Sequence, residues 1–147
     1  MCIAQQITGP GVQLIVNAIS PSLMPFEVLD ETQCFPTSFL VSLFGEEEDW
    51  LVRGEEVGAA LLRHLKLKGS MHTERAVRAA IDWLCAHHPD ATDARVEAAD
   101  HRGMTIVLRI DYPPKFLHGI LQRIAWETRA KDVTALEDDP YRFHIRL

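Results

Sequence analysis

The spacing of the apolar residues changes once along this 147-residue chain, near Pro89 and Asp90. Before that point the apolar residues recur at the period of an α-helix, and after it they alternate with polar residues as on a half-buried β-strand. Helical and strand patterns that occupy separate stretches are typical of the α+β class. The length suits one domain, which we divide into an N-terminal arm (1–27), a helical region (28–90) and a small sheet-and-helix unit (91–147).

The helical region begins with Pro36, which favours the first turn of a short apolar helix that Gly45 ends. A second helix is predicted from the acidic run 46–49 to Lys68, because negative charge is favourable at a helix start and positive charge at a helix end. Its apolar face carries residues at the helical period.

Two glycines on this second helix, Gly54 and Gly58, would let another backbone approach closely. Gly69 is expected to end the helix in the left-handed conformation, and Ser70 to cap a third helix that runs to about His87. The tight turn between the two long helices predicts an αα-hairpin.

The third region, 91–147, predicts the order ββαβ. A weak strand over 95–99 and a clearly alternating one over 104–111 are followed by a helix that Pro113 introduces and by a last strand over 141–147. Such a sheet would pack one face on the helix and leave the other face polar.

The N-terminal arm contains several glycines and prolines, among them Gly9, Pro10, Gly11, Pro21 and Pro25, and no long regular element is expected there. We predict an extended or partly helical arm whose apolar side chains are buried by a partner protein, so that the rest of the chain would fold without it. The expected contact residues of the arm are Leu14, Ile15, Ile19, Leu23 and Phe26.

Residues that suggest chemistry are sparse. Cys85, His88 and His101 could together hold zinc, but the chain has no CxxC and no HExxH motif. The simpler interpretation is a buried Cys85 beside solvated histidines at a helix end. No P-loop and no GxSxG nucleophile motif is present either. The sequence therefore predicts no enzyme, no metal and no cofactor.

The polar face of the predicted sheet carries several basic residues, including Arg109, Arg142 and Arg146. RNA-binding sheets expose aromatic residues that stack on bases, whereas Tyr141 and Phe143 here share the apolar side of their strand. Protein contact through this basic face, with Arg142 and Arg146 as contact residues, is favoured over nucleic-acid binding.

Charge is distributed unevenly along the chain. Residues 1–60 have a net charge of −8, from one arginine against nine acidic residues, and residues 61–147 have a net charge of +2. Such a chain could present oppositely charged faces to two protein neighbours, although the simpler interpretation is a solvated acidic loop and helix start. No apolar run reaches the length that spans a bilayer, and the three cysteines suit a reducing compartment, so a cytoplasmic location is expected.

A series of short motifs follows the arm in a characteristic order. They are Leu29-Asp30, Cys34 with Pro36, Glu48-Asp49-Trp50, Arg53, and His64 followed by Lys68-Gly69-Ser70 before an Ala- and Arg-rich helix. In this order and spacing the chain resembles the tail protein I family of contractile-tailed phages. The motifs cover residues 28–90, and residues 91–147 match only in the order of their elements.

The resemblance implies a structural subunit of a baseplate wedge, which binds a larger wedge protein in a hetero-oligomeric assembly. It would be located in the host cytoplasm during assembly and then in the baseplate of the virion tail. No nucleic acid, membrane or small-molecule substrate is expected. The expected partner contacts are the arm, the face of Gly54 and Gly58, and the two sheet arginines.

Two other classes of function stay open at this point. One is a small-molecule-binding or regulatory α+β module. The other is a metal-dependent enzyme that uses Cys85, His88 and His101.

Overall fold

The structure is a computed structural model that describes residues 5–19, 33–66 and 72–147. Its helices are α1 (Gly9–Ile19), α2 (Thr37–Val41), α3 (Trp50–His64), α4 (Thr73–His87) and α5 (Pro114–Glu127). Its strands are β1 (Gln6–Thr8), β2 (Cys34–Pro36), β3 (Ala94–Ala99), β4 (Gly103–Leu108), β5 (Asp132–Leu136) and β6 (Asp139–Arg146). A single 3₁₀ turn, Glu47–Asp49, precedes α3.

The α+β class is confirmed, with the first helices followed by an antiparallel sheet in the order β3-β4-β6-β5. The predicted order ββαβ lacks one strand, because β5 lies between α5 and β6. Its pattern is hard to recognise in the sequence, since Val133 is its one buried residue and Asp132 and Thr134 are exposed. The third region is therefore ββαββ.

The sheet has one apolar face, as its alternation predicted. The residues of β4 and β6 that are buried on this face are Met104, Ile106, Leu108, Phe143 and Ile145. Helix α5 covers them with an apolar face that includes Phe116 and Ile120, and α4 packs beside it against β3. The main core thus lies between the sheet and the helices.

Helix α3 packs on the outer side of α5 rather than mainly against α4, which corrects the predicted αα-hairpin. The contact is very close. A Cβ atom on Gly54 would overlap the carbonyl oxygen of Phe116, and one on Gly58 would lie 2.8 Å from the carbonyl oxygen of Ile120. Close approach by a backbone was predicted correctly, but that backbone belongs to the same chain, so Gly54 and Gly58 are not partner contacts.

The described part of the arm belongs to the chain's own core, which corrects the prediction of a partner-bound arm. Gly9 and Pro10 begin helix α1, which agrees with the partly helical arm that was predicted, since the missing N–H of a proline is not needed in the first helical turn. Ile15 is fully buried and is not available to a partner, whereas Leu14 and Ile19 are half-buried. Leu23 and Phe26 lie outside the described residues.

Helix α3 ends earlier than predicted. Its last residue is His64, and Lys66 takes a left-handed conformation with φ of 55°. Gly69 and Ser70, the predicted cap residues, lie outside the described residues. Helix α4 begins at Thr73, with His72 at its N-cap position.

The α3–α5 contact gives the first testable prediction. Gly54→Ala should lower the free energy of unfolding by at least about 2 kcal/mol, because the added methyl group cannot fit unless the two helices separate. Urea denaturation measures the effect, and Val52→Ala on the exposed side of the same helix is the control, with an expected change within about 0.5 kcal/mol. Equal stabilities of the two variants would contradict the packing.

The position of α1 in the core gives the second prediction. Ile15→Ala should cost about 2–5 kcal/mol of unfolding free energy, because it removes a large buried side chain and leaves a cavity. Asn17→Ala, at an exposed position of the same helix, should have little effect in the same denaturation experiment. Equal free energies of unfolding for Ile15→Ala and Asn17→Ala would show that α1 is a separate arm and not part of the core.

Candidate functional site

The three residues considered for zinc occupy different environments. His88 is fully buried, Cys85 is half-buried with its thiol 3.6 Å from the carbonyl oxygen of Ala94, and His101 is exposed in the turn between β3 and β4. Among residues 5–19, 33–66 and 72–147, no three His, Cys, Asp or Glu side chains converge on a possible metal position.

His88 is a core residue with both ring nitrogens satisfied, which corrects its placement at a solvated helix end. Its Nδ1 lies 2.7 Å from the carbonyl oxygen of Leu84 and its Nε2 lies 2.7 Å from the hydroxyl of Tyr112. Since a carbonyl only accepts, Nδ1 carries the proton and donates to Leu84, and the Tyr112 hydroxyl donates to Nε2. The pair joins the end of α4 to the segment before α5.

Burial keeps this pair uncharged at neutral pH. It lowers the pKa of His88 to about 4, and it raises the pKa of Tyr112 above its ordinary value. The ring of Tyr112 packs against Phe44 and Phe116, which stack on each other with centroids 4.1 Å apart. The geometry of His88 and Tyr112 therefore fits a structural hydrogen bond.

A second buried polar pair connects two helices. The hydroxyls of Thr73, at the start of α4, and Thr128, just after α5, are 2.7 Å apart, and the Thr128 hydroxyl also donates to the carbonyl oxygen of Ile124. Both side chains are buried. These bonds fix the ends of α4 and α5 relative to each other.

The polar face of the sheet is not a uniformly basic surface, because its arginines have carboxylate partners, and contact of Arg142 and Arg146 with another protein stays a prediction. Arg142 pairs with Glu97 at 3.0 Å, and Arg146 pairs with Asp132 at 2.7 Å. The same holds for the neighbouring arginines of this face. Their carboxylate partners are Asp93 and Glu97 for Arg95, and Asp93 and Asp139 for Arg109. Neighbouring carboxylates thus neutralise the arginines on which the predicted partner contact depended.

Exposed apolar side chains lie on the outer side of the helices instead. Val52 of α3 is 47% exposed and Trp126 of α5 is 68% exposed. We call the surface formed by the outer sides of α1, α3 and α5 the helical face. Leu14, half-buried on α1, lines a depression of this face, so this predicted contact residue does reach the surface.

Depressions connect these side chains into one continuous surface. One of about 330 Å³, lined by Val52, Glu55 and Arg123 among others, lies between α3 and α5. Another of about 470 Å³, which we call the Trp126 cleft, adjoins it and shares Glu55 and Arg123. Its far side is formed by Lys131, Asp132 and Val133, where β5 begins.

Trp126 is held in position by charged neighbours. The guanidinium of Arg123 lies 4.9 Å from the centre of its ring and is 2.8 Å from Glu127 one turn further on. Gln122 donates to Glu55 at 2.9 Å and so links α5 to α3 under the cleft. The ring is therefore an exposed aromatic group beside charged and polar side chains that join α5 to α3.

Sequence reasoning missed Trp126, although the helical period contained a signal. The apolar face of α5 is defined by Leu117, Ile120, Leu121 and Ile124, and position 126 falls off that face. A tryptophan on the solvent side of an amphipathic helix is an uncommon surface residue, so position 126 was recognisable from the sequence as a candidate contact residue.

No helix in the described part of the chain is both long enough and apolar enough to cross a membrane. No family model matches the chain, and neither a curated protein nor a solved structure matches it.

The buried His88 gives a prediction for pH. Its folded-state pKa of about 4 is below the ordinary value of 6.5, so the unfolded chain takes up this proton at higher pH than the folded chain does. The titration of His88 therefore does not reduce the free energy of unfolding above about pH 6.5. It lowers that free energy by up to about 3 kcal/mol as the pH falls to 4.

Denaturation by urea at several pH values measures this contribution. His88→Gln should flatten the loss of stability between pH 6.5 and 4, because the amide cannot take up the proton. The exposed His101→Gln is the matched control and should keep the slope of the unmodified chain. An identical slope for all three proteins would show that His88 does not titrate in this way.

Proposed function

We propose that this chain is a non-catalytic structural subunit of a contractile-tail baseplate wedge, and that it binds a larger wedge protein in a hetero-oligomeric assembly. The observation that carries the proposal is the 68% exposed Trp126 on the helical face. Tryptophan and arginine are the residues most enriched at the energetic centres of protein interfaces, and here Arg123 lies against the ring.

The shape of the helical face supports the same proposal. Val52 and Trp126 are exposed on neighbouring helices, and the depressions beside them can receive side chains of a partner. Burial of each apolar side chain contributes about 1.5–3 kcal/mol before the cost of ordering the two surfaces. A contact of this kind needs no moving parts in the subunit.

Charge suggests the character of the partner's surface. Glu46 and Glu48 are exposed at the start of α3, and neither has an ion-pair partner among the described residues, whereas Glu47 pairs with Lys115. The acidic step Glu48-Asp49-Trp50 is also one of the motifs on which the family resemblance rests. A wedge protein with basic residues opposite this end of α3 would be attracted to it.

The assembly role implies a location as well. The chain would be in the host cytoplasm while the tail is assembled and in the baseplate of the virion afterwards. Interface surface rather than a catalytic pocket is what such a role requires.

Co-expression with the large wedge protein encoded in the same genome tests the proposal. The two proteins should purify as a stable complex, and Trp126→Ala and Val52→Glu should each weaken it by about 10-fold or more. Glu97→Ala, on the polar face of the sheet, is the control and should leave the affinity unchanged. The proposal fails if the two proteins do not associate, or if both helical-face variants bind as tightly as the unmodified chain.

A further inference from the structure

Strand β5 is at an edge of the four-stranded sheet, because β6 is its one neighbour in the strand order of the described residues. An edge strand presents unpaired backbone N–H and C=O groups, which natural proteins usually protect. At the opposite edge, β3 is interrupted by a register shift between Val96 and Ala98, and such an irregularity disfavours pairing with another chain. The shift in β5 lies only at its end, between Ala135 and Leu136.

The side chains along β5 do not protect this edge from pairing with another strand. Thr134 and Ala135 are exposed and small, and no proline occurs in the strand. Two exposed charges flank it, Lys131 before the strand and Glu137 after it. Neither charge has an ion-pair partner among the described residues, and each stands three positions from Thr134.

We propose that β5 pairs antiparallel with β5 of a second copy of this chain, across a two-fold axis at Thr134. In this register Thr134 stands opposite its own copy, and Lys131 before β5 of each chain lies beside Glu137 in the turn after β5 of the other. The symmetry creates this charge pair twice. The sheets of the two copies join into one continuous sheet, with the helices of both on the same side.

The charges select this register over its neighbours. A shift of one position in one direction places Lys131 beside Leu136, and a shift in the other direction places Lys131 beside Asp138 but also Asp132 beside Glu137, so that repulsion between like charges offsets the attraction. Lys131 has the same parity as the buried Val133, so it points to the helix side of the sheet, whereas Glu137 follows the register shift at the end of β5 and lies in the turn before β6.

This inference goes beyond the proposed function and does not require the wedge protein. It is tested by sedimentation of the whole chain over a concentration series from about 1 µM to 1 mM, in which the unmodified protein should dimerise. Lys131→Glu and Glu137→Lys should each raise the dimer dissociation constant about tenfold, because each puts like charges opposite each other twice. The double variant should recover the original value to within about threefold.

Two further variants test the axis itself. Thr134→Lys and Thr134→Glu should both weaken the dimer, because a residue on a two-fold axis faces its own copy and repels it with either sign of charge. A strand from a different protein would instead respond in opposite directions to the two signs. Arg75→Glu, an exposed charge reversal on α4, is the control and should have no effect.

The inference is overturned if the chain stays monomeric throughout the series, or if the double charge reversal does not restore association. Melting curves of every variant establish that the monomer is folded. The outcome is separable from the proposed function, because Val52→Glu tests the wedge protein contact on a helix remote in sequence from β5. Loss of wedge binding with intact dimerisation would reject only the proposed function, and the reverse result would reject only the strand pairing.

Discussion

The close contact between α3 and α5 is the constraint on which the rest of the structure depends. Gly54 and Gly119 bring the two backbones together where any side chain would overlap a carbonyl group. Helix α5 is covered by the sheet on one side and by α3 on the other, so its position determines where both layers lie. The fold is thus organised around a helix between two layers, and α1 packs in turn on α3.

Buried polar bonds complete this arrangement at its ends. Thr73 and Thr128 join the start of α4 to the end of α5, and His88 and Tyr112 join the end of α4 to the segment before α5. Hydrogen bonds in the interior are expensive to leave unmade, so these two pairs favour one relative placement of α4 and α5 over many similar ones. Apolar packing supplies most of the stability, and these bonds restrict its geometry.

Local sequence patterns predicted the helices and strands whose buried side is defined by residues close to one another in the sequence. The alternation of Met104, Ile106 and Leu108 identified β4, and the small residues of α3 indicated a close backbone contact. The prediction was wrong about which surface buries the arm. A sequence shows that Ile15 must be buried but not by which surface. The sequence analysis missed strand β5 for another reason. An edge strand with one buried residue has too few apolar residues to show an alternating pattern.

The sequence prediction chose the sheet arginines and missed Trp126, and both outcomes have a physical cause. Arg142 and Arg146 have basic side chains, but Asp132 on the neighbouring strand and Glu97 two strands away supply carboxylates, and only the three-dimensional structure reveals this neutralisation. Trp126 carries its signal within one helix, because its angle around the helix axis follows from spacing alone. The contact proposed at Trp126 is therefore recognisable from one apolar residue off the buried face of a helix, whereas the charge of the sheet arginines cannot be judged without their neighbours. A charge on a sheet can be neutralised by distant residues of the same chain, whereas Trp126 stays 68% exposed although α3 covers another part of the same helix.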